Sequence, residues 1–270
     1  MNLLLAVMFL CVVPSAFGAF EKTSQGSTST GMGGASVALA ENPWGAYSNP
    51  GVLPTLSKRV VSFFYVPQPF GLKELARGSF SYVEATTLGT LGITGSRFGF
   101  ELYREVVLGI SYARTLDDRF SAGVTLNYFS LTIQNYGSNK TFGVDAGFLV
   151  RVSENVQWGF AAFNLNAPTI GSTKEKLPQV YATGLQYSPI SEASLSVDIV
   201  KDIRYPTELH MGIEYTILGA VDIRGGTASE PSLYTAGAGI HYMFFHFDYA
   251  FSVHQDLGAT HSFSLSLFLE

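Results

Sequence analysis

The chain has 270 residues and a single cysteine, Cys11. That residue lies inside an eleven-residue apolar run, Leu3 to Val13, so the rest of the chain has no thiol for a disulfide, a thiolate metal site or a cysteine nucleophile. Long apolar runs are missing too: nothing internal approaches the roughly 20 residues a membrane-spanning helix requires. Charge is scarce, at 14% of residues, and the net charge of −5 supplies no basic face for a nucleic acid. Aromatic residues (14%) and glycines (28) are plentiful instead. An apolar, aromatic, glycine-rich chain without a spanning helix has the composition of a transmembrane β-barrel.

The first 18 residues stand apart. The apolar run is followed by Pro14 and then by small residues at Ala16 and Gly18. This is the pattern of a secretory signal cleaved after Gly18, with only the α-amino group as the positive n-region. The alternative is an uncleaved anchor, which eleven residues are too few to make by spanning.

From Lys58 onward the chain alternates with period two. Phe245, Phe247, Tyr249, Phe251 and Val253 face one way, and His246, Asp248, Ala250, Ser252 and His254 the other. Such blocks fall at 58–66, 76–86, 88–98, 104–116, 119–133, 141–153, 156–166, 177–189, 193–203, 207–218, 220–227, 233–244, 245–256 and 260–269, fourteen in all. Connections alternate between tight turns, such as Asp117-Asp118 and Glu154-Asn155, and longer loops, such as 67–75, 134–140 and 167–176. An even strand count with short turns at one end and longer loops at the other predicts an antiparallel outer-membrane barrel, its short turns and both termini on the periplasmic side. In lipid every backbone N–H and C=O must be paired, which strands achieve only by closing. A soluble β-sandwich would alternate similarly, but it seldom has fourteen strands with Phe, Tyr or Trp along whole outward faces.

By this parity Gly109, Gly123, Gly143, Gly147, Gly159, Gly184, Gly212, Gly237 and Gly239 point inward. They make room either for sheet curvature or for a backbone inside the lumen. Inward polar residues crowd the later strands and include Asp198, Glu208, His210 and His254. Glu214, Asp222, Arg224, His241, His246 and Asp248 form a candidate cluster toward the periplasmic end. Such a cluster is a mutually satisfied polar network, a divalent-metal site or a proton-sensitive gate. The first reading is preferred, and no metal or cofactor is assigned.

Between the leader and the strands, residues 19–57 are rich in glycine and carry two Asn-Pro turns, Asn42-Pro43 and Asn49-Pro50. Gly31-x-Gly33 with Ser36 is only a fragment of a dinucleotide fingerprint, with no preceding strand and no following lysine. A barrel lipase or protease would need a Ser/His or Asp/His constellation, which parity alone does not exclude; no catalytic residue is assigned and the chain is not taken for an enzyme. The segment Gly31-Met32-Gly33-Gly34-Ala35-Ser36-Val37-Ala38-Leu39-Ala40-Glu41, followed by Tyr47-Ser48-Asn49-Pro50-Gly51-Val52-Leu53, resembles the N-terminal signature of FadL-like and PorV-like outer-membrane barrels. Gly51 stands where alanine is usual, and the chain ends Phe268-Leu269-Glu270 rather than on an aromatic.

The resemblance implies a signal peptide (1–18), a hatch inside the lumen (19–57) and a fourteen-stranded barrel (58–270). Gly31, Gly33, Gly34, Trp44, Tyr47, Asn49 and Pro50 would shape the hatch. Gly89, Gly92 and Gly95 in the third strand mark either ordinary curvature, the preferred reading, or a candidate lateral opening. The implied partners are the lipid bilayer and a hydrophobic small molecule or, in PorV-like relatives, secretion-machinery proteins. The expected function is passive movement of small hydrophobic molecules across the bacterial outer membrane; the alternative is a partner or scaffold for protein export.

Overall fold

The computed structural model describes residues 18–269, so the expected leader, Gly18 apart, lies outside the described residues. The first barrel strands are β1 (Arg59–Val66), β2 (Arg77–Thr86), β3 (Gly89–Gly99), β4 (Tyr103–Asp117), β5 (Phe120–Ile133), β6 (Gly137–Ser153) and β7 (Val156–Phe163). A two-residue hairpin follows, β8 (Thr169–Ile170) with β9 (Glu175–Lys176). The barrel resumes with β10 (Val180–Ile190), β11 (Ala193–Asp202), β12 (Thr207–Ile217), β13 (Val221–Ser229), β14 (Ser232–Tyr242), β15 (Phe245–His254) and β16 (Gly258–Leu269). The fourteen long strands form one closed antiparallel barrel, shut where β1 pairs β16 from Arg59↔Leu269 to Tyr65↔Phe263. Both ends of the barrel chain therefore lie at the end with the tight turns, called here the turn end; the other is the loop end.

The alternation sets the faces. Phe63, Leu91, Ile93, Leu108, Ile110, Leu126, Leu185, Ile213, Ile223 and Phe247 are exposed on the outer wall, whereas Ser62, Thr94, Ser111, Thr125, Asp198, Asp222 and Asp248 are buried inside. This inversion of a water-soluble protein's distribution suits a wall solvated by hydrocarbon outside and by polar partners within. Register shifts occur at Thr115/Asp117, Arg151/Ser153 and Tyr187/Ile190, each beside a tight turn, where bulges help a strand leave the sheet.

Three details differ from the alternation pattern. Strand β6 starts at Gly137, so its loop is only 134–136; Gly137 to Lys140 are polar on both faces and alternation could not register them. Strand β7 stops at Phe163 because Asn164 adopts a left-handed backbone, φ 54°. The 167–176 loop contains the β8–β9 hairpin.

The stretch from Ser27 to Gly51 is held against the inward faces of the strands. Residues 20–57 form two short helices, α1 (Ser27–Gly31) and α2 (Gly45–Ser48), and a 3₁₀ turn, Pro50–Thr55. Asn49 starts that turn in extended conformation, its side chain accepting from Gly51 N, and Pro50 takes the first position, where no N–H is needed. Trp44, only 2% exposed, anchors the segment, its ring 5.8 Å from Phe64 of β1 and 6.0 Å from Tyr47.

Candidate functional site

The internal segment is tied to strands all round the ring. Ser27 N donates to Ser264 Oγ of β16 (2.7 Å) and Gly33 N to Thr235 Oγ1 of β14 (3.0 Å). Ser36 N and Val37 N share Asp198 Oδ2 of β11, at 2.6 and 2.9 Å. Ala40 N donates to Gln186 Oε1 of β10 (3.1 Å). Asn49 Nδ2 donates to Phe148 O of β6 (2.9 Å), Ser121 Oγ of β5 to Gly51 O (2.6 Å), and Ser81 Oγ of β2 to Pro43 O (2.8 Å). Without such partners, buried backbone groups of an irregular segment would each cost about 1–3 kcal/mol.

Close approach explains many inward glycines. A Cβ on Gly159 would sit 2.5 Å from Val37 O, on Gly212 2.5 Å from Met32 O, on Gly123 2.5 Å from Pro50 O, and on Gly147 2.1 Å from Asn49 Oδ1. The internal segment reciprocates: a Cβ on Gly51 would lie 2.4 Å from Phe148 Cα, and one on Gly33 2.5 Å from Thr227 N. Gly31, Gly34, Trp44, Tyr47, Asn49 and Pro50 all lie in this packed region, with Gly34 against His210 and Gly31 against Gly237.

The six-residue polar cluster is assembled at the turn end. Arg224 Nε donates to Glu214 Oε2 (2.5 Å), Nη2 to Asp222 Oδ2 (2.5 Å) and Nη1 to Asp248 Oδ1 (2.6 Å). His241 Nε2 lies 2.8 Å from Asp222 Oδ2, and its ring stacks on His246 with centroids 3.9 Å apart. Ligand atoms of Asp222, His241 and Asp248 come within 4.8 Å of one another, a spacing a metal could use. The guanidinium already bridges both carboxylates and supplies the positive charge a metal would bring, so the group works as an ion-pair network.

A cavity of about 420 Å³ opens in the loop-end half of the lumen. Phe20, Val107, Phe129 and Phe163 give it apolar walls, and Lys22, Arg77, Glu105, Asn127 and Asp145 polar ones. The Phe20 ring stands edge-on to Phe129 at 5.1 Å. Lys22 Nζ donates to Tyr47 O and sits 3.6 Å from the Phe163 ring centroid, a cation–π contact. Asp145 accepts from Asn127 Nδ2 (2.6 Å) and Asn164 N (2.8 Å). Enclosure by the wall lowers the Lys22 ammonium to about 8 against the opposing pull of Asp145, although the side chain stays exposed to the cavity, where water offsets part of the desolvation. Burial raises Glu21 above the ordinary carboxylate range and keeps the Tyr47 phenol protonated, as its donation to Phe80 O (3.1 Å) requires. A second, polar cavity of about 300 Å³ lies at the turn end beside Glu41, Gln186 and Ser194. The internal segment stands between the two.

Of the third-strand glycines, Gly89 is at the turn (φ 142°), Gly92 faces Ser111 and the internal Leu53, and Gly95 faces outward against Leu108. Strand β3 is paired to β2 at all three and to β4 at Gly92 and Gly95, without a register shift. Sequence reasoning did not single out Asp198 and Thr235 as anchors of the internal segment, nor Lys22, Glu105 and Asp145 as cavity residues. Alternation marks the strand residues among these as inward but carries no sign of what they meet.

No protein-family model matches the chain, and neither does any curated protein sequence. Solved structures do match in shape. The Ralstonia pickettii toluene transporter TbuX superposes with a TM-score of 0.68 at 13% identity, covering 93% of this chain and 100% of that one. The fold is theirs. The P. putida toluene transporter TodX matches equally well (TM-score 0.68, 12% identity, 93% and 100% covered), and a Pseudomonas aeruginosa FadL homologue follows at 0.64 (13% identity, 90% and 98%). At such identities the likeness establishes a FadL-like fourteen-stranded barrel and carries no substrate with it.

Proposed function

We propose that this protein is an outer-membrane channel for small hydrophobic molecules, with residues 19–57 as a plug and the loop-end cavity as the entry site. The observation that carries this reading is the cavity. It is a concave chamber with apolar walls at Phe20, Val107, Phe129 and Phe163, charged groups at Glu21, Lys22, Arg77, Glu105 and Asp145, and residues of the internal segment in its lining, within a barrel whose exterior is apolar. The toluene transporters sharing this fold support hydrophobic cargo. The charged rim of the chamber suits molecules with one polar end as well as hydrocarbons: an apolar body would lie against Phe20, Phe129 and Phe163, and an acidic head would reach Lys22.

The test is binding of toluene and of octanoate to the purified barrel by calorimetry, followed by uptake into liposomes. Binding by the native protein, reduced by Phe129→Asn and by Phe163→Asn, supports the reading. Absence of binding and of uptake for both probes overturns it.

A further inference from the structure

The outer wall is asymmetric in charge. By alternation the outward positions of β3 at the loop end include Arg97, those of β4 Arg104, and those of β6 Lys140, and all three side chains are exposed. The ladder fixes their relation. Arg97 pairs Val106, Val106 pairs Ser130, and Ser130 pairs Lys140, forming one transverse row across four strands. In the next row toward the loops, Gly99 pairs Arg104, Arg104 pairs Thr132, and Thr132 pairs Ser138. With strands spaced about 4.8 Å apart, the three cations and their hydroxyl neighbours cover a patch roughly 14 Å wide.

Three observations bear on what meets this patch. First, no carboxylate lies within ion-pairing distance of Arg97, Arg104 or Lys140 among the described residues, and the outward positions of both rows contain no acid. Second, the patch sits directly above the apolar belt: Ile93, Leu108, Leu126 and Phe142, exposed on the same four strands, lie one or more rows toward the turn end. Third, the opposite wall has no such cluster: its outward loop-end positions include Thr207, Thr227, Ser229, Ser232, Tyr234 and Val253, with one cation, Lys201. Lys201, outward on β11, is engaged with Tyr205 O. Arg97 also borders the mouth of the loop-end cavity, so the patch and the entry site adjoin.

We propose that this face of the rim binds the phosphate groups of a phosphorylated lipid in the adjoining leaflet, with its acyl chains against the belt below. Guanidinium groups take phosphate oxygens in pairs, and Ser130, Thr132 and Ser138 add hydroxyl donors between the cations. Cations at the boundary between belt and water keep their stems in the apolar layer and their heads among the headgroups.

The inference concerns the bilayer face and stands whether or not the lumen carries hydrophobic cargo. The purified barrel in detergent is titrated with a glycolipid bearing two phosphates, and separately with the same lipid after dephosphorylation, with bound lipid read by native mass spectrometry. The native protein should prefer the phosphorylated form. The R97Q/R104Q/K140Q variant should lose that preference, by roughly 5-fold for each cation removed. The turn-end variant R114Q/R119Q should keep it. Heat-dependent gel mobility confirms that each variant is folded, and the single variants replace the triple one if it is not. Equal binding of the two lipids, or preference retained without the three cations, overturns the proposal.

Discussion

Gly51 and Phe148 meet backbone to backbone, and neither side can yield as a flexible side chain would. A Cβ at Gly51 would press on Phe148 Cα at 2.4 Å, so Gly51→Ala should either destabilise the protein by about 1–3 kcal/mol or push the plug off the wall. Limited proteolysis distinguishes the two, because a displaced plug becomes cleavable while the barrel does not. Arg224 is the converse case, a single cation buried among Glu214, Asp222 and Asp248. Arg224→Leu leaves three carboxylates without it and should cost about 3–5 kcal/mol in a denaturant titration of the barrel. Arg224→Lys, which keeps the charge but not the three-way fork, should cost less. At Lys22 the expected effect is on pH dependence. The ammonium is charged below about 8 in the free protein and neutral above it, and a bound carboxylate would favour the charged form and move that value up. Octanoate binding should therefore weaken as pH rises beyond about 8, and toluene binding should not. Equal pH profiles for the two ligands would remove Lys22 from the site.

At the scale of elements, strands were legible and their company was not. Period-two alternation survives wherever one face meets lipid, which is why β15 and β16 follow their sequence blocks closely. It fades above the belt, where Gly137 to Lys140 are polar on both faces, and it cannot foresee the left-handed Asn164 that ends β7. Beyond that point an amide completes the ladder: Asn166 Oδ1 accepts from Val144 N and its Nδ2 donates to Phe142 O, both at 2.9 Å. Asn166→Ala leaves the Val144 N–H and Phe142 C=O of β6 without these partners, at a cost below that of a buried group because both bonds are exposed. Hydrogen exchange at the Val144 amide should speed up while that of β4 is unchanged. The internal segment was legible as glycine-rich and turn-filled, but the strand residues that hold it were not. Ser36 and Asp198 are 162 residues apart, and no periodicity connects them.

For the whole molecule the question is whether barrel and plug are separable. The barrel closes through its own ladder, β1 to β16, and no strand hydrogen bond in that seam passes through residues 19–57. Many wall residues that hold the internal segment, among them Ser121, Asp198, Thr235 and Ser264, are polar, so water entering an emptied lumen can replace those lost partners at little net cost. Apolar wall residues that pack on it, such as Val60, Phe64 and Val83, would be wetted, so the emptied barrel should be less stable than the full chain but still fill with water. Removing residues 20–57 should therefore leave a barrel that still shifts on a gel when boiled, and, if the segment is the plug proposed above, it should open a pore. Planar-bilayer recording of the truncated chain should show steps of ion conductance that the full chain lacks. A truncated barrel that no longer shifts on heating would show that the plug is part of the fold, and one that folds but stays silent would show that the wall closes without it.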